Sequence, residues 1–322
     1  MTTLITGSSG FIGSRLAIRL LRQGHAVVGL DNLDPYYDLA VKQANTDAVA
    51  SASADSGTSF RFVQGDIRSE DDLARAFSAG DITRVVHLAA MSGVRYSAER
   101  AALYAEVNVI GGIRVLDAAR RAGVSVVVQA STSNVYGETA RLPFHEDDPA
   151  VTPLAPYPAS KRAAELFAHS YHHLHGLNVN VLRFFNVYGP NGRPDMMPLR
   201  VIDAIVRDQP IPVFGDGGML RDWTYIDDVL DGICAALERP LGFQIMNLGY
   251  GHPVALSEFI RIYERLIGRT ARLQHVPTPA TEPPVTFCDN SRARELLGFA
   301  PKVDIEEGLA RTWAWYRDER SS

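Results

Sequence analysis

The sequence predicts an α/β protein, a doubly wound parallel sheet with a smaller C-terminal lobe. Three observations carry that reading: apolar strand-like runs alternate with helix-like segments, the first run opens into a glycine-rich turn, and the pattern changes after Gly189. The runs are Thr3 to Thr6, Val27 to Leu30, Phe60 to Val63, Val85 to Leu88, Val124 to Gln129 and Val179 to Arg183. Helix-like segments centred near Leu20, Leu73, Val115 and Leu166 lie between most of them. Strands this apolar are buried on both faces, so helices have to cover both sides of the sheet.

The first strand runs into Gly7-Ser-Ser-Gly10-Phe-Ile-Gly13 and then a helical stretch, Arg15 to Gln23. Glycines three apart at a strand-to-helix turn let the backbone approach a pyrophosphate, which rests on the helix N-terminus. This is a Rossmann-like start. The second strand, Ala26 to Leu30, ends at Asp31, placed to accept hydrogen bonds from an adenosine ribose. Its charge repels a 2'-phosphate, so NAD is expected rather than NADP. The segment from Asp38 to Thr58 is rich in Ala, Ser and Asp and predicts a helix plus a loose surface loop.

After Gly189, prolines at 190, 194, 198, 210 and 212 interrupt the chain, while Leu199 to Arg207 and Leu256 to Gly268 look helical. The segment Thr224 to Leu237 is expected to return to the main domain. The expected division is therefore 1–188 plus about 222–250 for a cofactor-binding domain, and about 189–221 plus 251–322 for a smaller substrate-binding lobe.

Composition narrows the function classes. The 322 residues, 46% hydrophobic, suffice for one large domain or two unequal ones, and a formal charge of −5 shows no basic excess. No nucleic-acid partner is expected, and an anionic ligand would need particular arginines. Cys234 and Cys288 form no disulfide framework and lack metal-ligand spacing, which fits a reducing cytoplasm. No signal segment and no apolar run of about 18 residues is seen, so no membrane association is expected. His169, His172, His173 and His175 have no acidic or cysteine partner nearby and read as surface histidines, not metal ligands.

Chemistry enters with Tyr157-Pro-Ala-Ser-Lys161, downstream of Ala130-Ser-Thr132-Ser-Asn-Val-Tyr-Gly137. On a helix, Tyr157 and Lys161 share a face, so the ammonium can stabilise a phenolate able to take a proton from a sugar alcohol.

In order and spacing these residues resemble the extended short-chain dehydrogenase/reductase family, in its nucleotide-sugar epimerase/dehydratase group. The resemblance runs over nearly the whole chain: the glycine turn, Leu88-Ala-Ala90, the Thr132 segment, the Tyr157 and Lys161 pair, Arg183-Phe-Phe-Asn-Val-Tyr-Gly-Pro190 and Arg221-Asp-Trp-Thr-Tyr-Ile-Asp227. Within it, Asp34-Pro-Tyr-Tyr37, Ser92-Gly-Val-Arg-Tyr-Ser97 and Gly192-Arg-Pro-Asp-Met196 look most like UDP-glucuronate 4-epimerases.

The resemblance implies NAD as cofactor and a UDP-sugar as substrate. Thr132 and Tyr157 would contact the sugar O4, with Tyr157 as acid/base, while Lys161 would hold the nicotinamide ribose. Cofactor contacts would come from Gly7, Gly10, Phe11, Ile12, Gly13, Asp31, Asn32, Asp66, Ile67, Leu88, Ala89 and Ala90, with Asp66 accepting from the adenine amino group. Substrate contacts would come from Arg95, Ser133, Asn134, Asn186, Arg193, Arg221 and Glu282, with Arg221 on the pyrophosphate. The helices over Ala105 to Ala122 and Ser160 to His173 would form a homodimer interface.

The implied activity is 4-epimerisation of UDP-glucuronate to UDP-galacturonate through a transient 4-keto sugar. Alternatives are a 4-epimerase of a neutral UDP-hexose or UDP-N-acetylhexosamine, or a UDP-glucuronate decarboxylase or other 4-keto-forming enzyme. Uronate 4-epimerases usually carry Ser at 134 and Thr at 186, where this chain has Asn at both. A family Gly-Asp pair also reads Thr281-Glu282 here. A 4,6-dehydratase would have Asp-Glu after Thr132, and a decarboxylase usually Glu at 134; Ser133-Asn134 supplies neither.

Overall fold

The computed structural model describes residues 1–139 and 141–320. The chain divides into two compact units. The first comprises Met1–Gly137, Ala150–Arg183 and Ile233–Met246. Its strands are β1 (Thr2–Thr6), β2 (Ala26–Asp31), β3 (Phe60–Gln64), β4 (Ile82–His87), β5 (Val126–Thr132) and β6 (Val179–Phe184). A seventh strand, Phe243–Leu248, completes the sheet beside β6, and the order continues β5, β4, β1, β2, β3. The strands from β3 to β5 pair in parallel. Strand order reverses between β1 and β4, the switch point at which doubly wound sheets bind ligands.

Every residue of β5 is buried, as its Val-rich sequence requires. One layer of core joins Leu4, Val28, Val85 and Val127 to Val115, Leu116 and Ala168 on the helices Gly112–Ala122 and Pro156–His175. β5 runs to Thr132, three residues further than its apolar run predicts, because buried polar side chains continue the strand.

The segment expected to be part helix and part loop is a single helix, Leu39–Ser56. Asp38 caps its start by accepting from the Ala40 amide at 2.9 Å, and Gly57 ends it at φ +65. Its buried positions are Lys42, Asn45, Val49 and Ala52, so the inward stripe is half polar and escapes an apolar-periodicity reading.

The second unit comprises Glu138–Pro149, Phe184–Gly232 and Asn247–Ser322. It contains four segments that the sequence assigns to the first: 138–149, 184–188, 222–232 and 247–250. The reasons are local pairings within the second unit. Strand Asn186–Tyr188 runs parallel to Trp223–Tyr225, and Asn247 donates to the Phe144 carbonyl while its own amide N–H reaches Glu146. Pro210 and Pro212 do not break the chain; they lie in strand Pro210–Phe214, paired only with Arg272–Val276. A two-stranded ribbon leaves each strand an open edge, where a missing N–H is tolerated. No helix among the described residues is long and apolar enough to cross a membrane.

Candidate active site

β1 delivers Gly7 at φ +73, and a Cβ there would lie 2.8 Å from the Ala89 amide nitrogen. A Cβ on Gly13 would stand 2.2 Å from the Gly7 carbonyl oxygen, and one on Gly10 at 3.2 Å. Glycine at these positions keeps a cradle open between β1 and the helix Phe11–Arg22. That helix has Gly10 at its cap, so no side chain occupies the N–H groups of its first turn, Phe11 to Gly13.

Asp31 ends β2 beside this turn. Its carboxylate accepts from the Ser9 amide at 3.1 Å and the Leu33 amide at 2.9 Å. Lys42, which the sequence reading missed, buries its ammonium 3.6 Å from Asp31 and 5.3 Å from the Tyr37 ring centre. Asn32 donates to Asp66 at 3.0 Å. Arg68 gives the same carboxylate its backbone N–H and two guanidinium bonds of 3.0 and 2.8 Å, and this fork holds Asp66 down to about 2. An adenine amino group would therefore share a carboxylate that already accepts four N–H donors. Ile67 is buried next to it against Gly111.

After β4 the backbone closes on the glycine turn. The Leu88 amide bonds the Thr6 carbonyl and the Ala89 amide bonds Thr6 Oγ1, with Ala90 following. At Gly93, φ +98, a Cβ would sit 2.4 Å from the Tyr36 hydroxyl, and Tyr36 meets Tyr96 edge to face at 5.4 Å. Two separated motifs, Asp34 to Tyr37 and Ser92 to Ser97, thus pack together, with Arg95 exposed on the second.

The candidate tyrosine is held from two sides. Buried Tyr104 donates to the Ser92 and Gly93 carbonyls and sets its ring edge to Tyr157, 6.1 Å between centres. Asn108, in a π-helical turn at Ala105–Gly111, bonds the N–H and C=O of Met91 and donates to Ser160 Oγ at 2.9 Å. Ser160 in turn donates to the Tyr157 carbonyl at 2.7 Å. Neither Tyr104 nor Asn108 lies in a motif, so no sequence spacing marks them.

Lys161 follows one turn later and is buried, yet its ammonium makes no hydrogen bond or ion pair among the described residues. Burial pulls it down to about 8, with Glu165 opposing. Glu165 is wholly buried and accepts both arms of Arg183, at 2.9 and 2.7 Å, besides Ser131 and Arg162. Arg183 also stacks over Tyr136 at 4.7 Å. The helix Pro156–His175 packs on β5 and on the 3₁₀ turn Ser133–Tyr136, whose Ser133 is buried. Thr132 caps that turn: Oγ1 accepts the Asn134 backbone N–H at 3.2 Å and the Asn134 amide nitrogen at 3.0 Å. The first unit thus brings Thr132, Asn134, Tyr157 and Lys161 onto packed neighbouring elements.

In the second unit, Asn186 bonds through its backbone N–H to the Asp222 carbonyl, and its half-buried side chain has no hydrogen-bond partner among the described residues. Arg221 donates to Glu282 at 3.1 Å and to the Leu220 carbonyl at 2.9 Å; burial lowers its pKa, with Glu282 opposing. Arg193 presents its fork to Asp195 instead. Asp222, pushed up to about 6 by burial, ties Tyr250, Gly251 and Cys288 amides together behind Arg221. Elsewhere, His169 stacks on His173, and no cluster of three metal-ligating side chains occurs among the described residues.

The sequence profile of the NAD dependent epimerase/dehydratase family matches residues 3–249. The chain belongs to that family. NAD is its cofactor, and the side-chain-free glycine cradle and the unpartnered Lys161 ammonium fit a bound dinucleotide. Within the family it is 43% identical over 316 residues to a UDP-glucuronate 4-epimerase of Thermodesulfobacterium geofontis, covering 98% of this chain and 96% of the relative. Its structure is similar to that of the UDP-glucuronic acid 4-epimerase from Bacillus cereus in complex with UDP-glucuronic acid and NAD, TM-score 0.90 at 33% identity over 99% of both chains. A UDP-glucose 4-epimerase from Thermotoga maritima with UDP-glucose matches with TM-score 0.89 at 28% identity, again over 99% of both. Overall shape therefore does not separate uronate from hexose; the particular side chains have to.

Proposed function

We propose that this family member epimerises UDP-glucuronate and UDP-galacturonate at C4 through a 4-keto intermediate. The observation that carries the reading is the 43% full-length identity to a UDP-glucuronate 4-epimerase, in a chain that keeps Thr132, Tyr157 and Lys161 on packed neighbouring elements. Tyr157, as phenolate, takes the O4 proton; once the ketone has turned within the site, so that hydride returns to its opposite face, Tyr157 gives a proton back to O4. Lys161 stabilises that phenolate, its ammonium making no hydrogen bond or ion pair among the described residues. NAD, when bound, accepts and returns the C4 hydride. Arg221 and Glu282 would hold the UDP moiety and Asn186, with an amide still free to donate, the carboxylate.

A second reading has one observation in its favour. Because Asn134 commits one of its two amide N–H groups to Thr132, it keeps one N–H and its oxygen, a donor and acceptor pair that a neutral hydroxymethyl group can satisfy in full and a carboxylate only in half. Incubation with UDP-glucuronate, UDP-glucose and UDP-N-acetylglucosamine, each followed by NMR, separates the two. C4 inversion of the uronate is expected. A pentose product, or inversion only of neutral sugars, would overturn the first reading.

A homodimer in the cytoplasm completes the proposal. Ile110, Leu166, Phe167 and Leu174 are large apolar side chains left exposed on the expected interface helices, which supports pairing of two copies. Light scattering should give twice the chain mass of 35.3 kDa.

A further inference from the structure

Both acceptor positions of the Thr132 hydroxyl are filled by a single residue. The Asn134 backbone N–H stands 3.2 Å from Thr132 Oγ1 and the Asn134 amide nitrogen 3.0 Å from the same atom. A hydroxyl has two lone pairs and one proton, and Oγ1 donates to no described residue. We infer that Asn134 is a positioning residue that makes Thr132 an obligate hydrogen-bond donor to the sugar O4, rather than a residue that recognises the C6 substituent. This rests on the proposed 4-epimerase chemistry only in placing O4 beside Thr132.

The chemical consequence follows from where charge develops. As the O4 proton leaves, O4 gains electron density and becomes the ketone oxygen, and a donor already aimed there stabilises it without reorganising. A hydroxyl with an open lone pair would also accept the O4 proton in the ground state, in competition with Tyr157. Asn134 removes that orientation. The backbone bond alone fills one lone pair; the side-chain amide is needed for the second, so no residue lacking a donor at this reach can replace it. The cap geometry supplies the reach, since Thr132 is extended at φ −147, ψ 148 and Asn134 lies in the 3₁₀ turn that it opens.

A double-mutant cycle tests this, with turnover followed by NMR on the UDP-sugar that the wild-type protein inverts and NAD content checked in every variant. Asn134→Ala should lower kcat by about ten- to a hundredfold with little change in KM, less than the roughly hundred- to thousandfold loss on deleting an oxyanion donor outright, because the Thr132 hydroxyl remains. In a Thr132→Ala background the same substitution should cost no more than about twofold, because its only route of action is gone. Asn134→Asp, which can only accept, should take the Thr132 proton and lose as much as the alanine variant; if the alanine variant fails to retain NAD, Asn134→Leu, of similar size but without a donor, takes its place in the cycle. Equal losses in both backgrounds, or a wild-type kcat for Asn134→Asp, would overturn the inference. Thr132→Ala turning over at the wild-type rate would fail the placement of O4 beside Thr132, and the inference with it.

Discussion

Asp31→Ser should move cofactor preference toward NADP, because the counter-ion for a 2'-phosphate is already in place. Lys42 lies 3.6 Å from the Asp31 carboxylate and both side chains are less than a tenth exposed. At an effective dielectric of about 20, unit charges at that separation interact by about 4–5 kcal/mol. Desolvation of a phosphate and solvent entering the opened site reduce the realised gain to about 1.4–2.8 kcal/mol, a ten- to hundredfold tightening for NADP. NAD loses its charged acceptor in the same step, worth about 1.5–3 kcal/mol. Titration calorimetry on cofactor-stripped protein should therefore show NAD weakened and NADP strengthened by at least about tenfold each. Adding Lys42→Met should erase the NADP gain. If Asp31→Ser binds NADP within about threefold of wild type, or if Lys42→Met leaves the gain intact, then the pair does not set cofactor choice.

Four further outcomes follow from the same geometry. NAD affinity should fall as pH rises through about 8, where buried Lys161 loses its proton, and calorimetry from pH 6.5 to 9.5 on Lys161→Met should be flat by comparison. His87 is depressed to about 3 by burial, below its unfolded value of about 6.5, so protonation favours the unfolded chain and stability drops as pH falls. At pH 5 that linkage is worth about 2 kcal/mol, and urea melts of His87→Gln should lose less stability than wild type between pH 7 and 5. Glu165→Gln leaves the Arg183 guanidinium buried without its carboxylate and should cost about 3–5 kcal/mol in the same melts. Glu282→Gln should weaken UDP binding by about tenfold, since it would replace the charged acceptor proposed for the ribose with a neutral one and releases Arg221 from its carboxylate partner; tighter UDP binding would mean that Glu282 competes with the pyrophosphate instead.

What was legible in the chain was what short-range pattern encodes. Gly7, Gly10 and Gly13 are readable because a Cβ at any of them meets backbone at close range, a constraint that fixes residue type. The core strands announce themselves by apolar runs, and Tyr157 and Lys161 by a helical spacing. Lys42 was not legible, because the buried face of its helix is half polar and its partner lies eleven residues back. Tyr104 and Asn108 were not legible either: their hydrogen bonds reach loop carbonyls and a serine on another helix, at separations that no local pattern records.

The sequence by itself determined the alternation of strand and helix, the glycine cradle, an acidic end to the second strand and the tyrosine-lysine pair, all properties of residues within a turn or two of each other. Tertiary structure decided which polar groups remain available. Asp66 is engaged by Arg68 and Asn32, Arg193 by Asp195, and one amide N–H of Asn134 by Thr132, while Lys161 and the Asn186 side chain make no hydrogen bond among the described residues. A residue's type lists the hydrogen bonds it can make; only its packed neighbours determine which of them are left for a ligand.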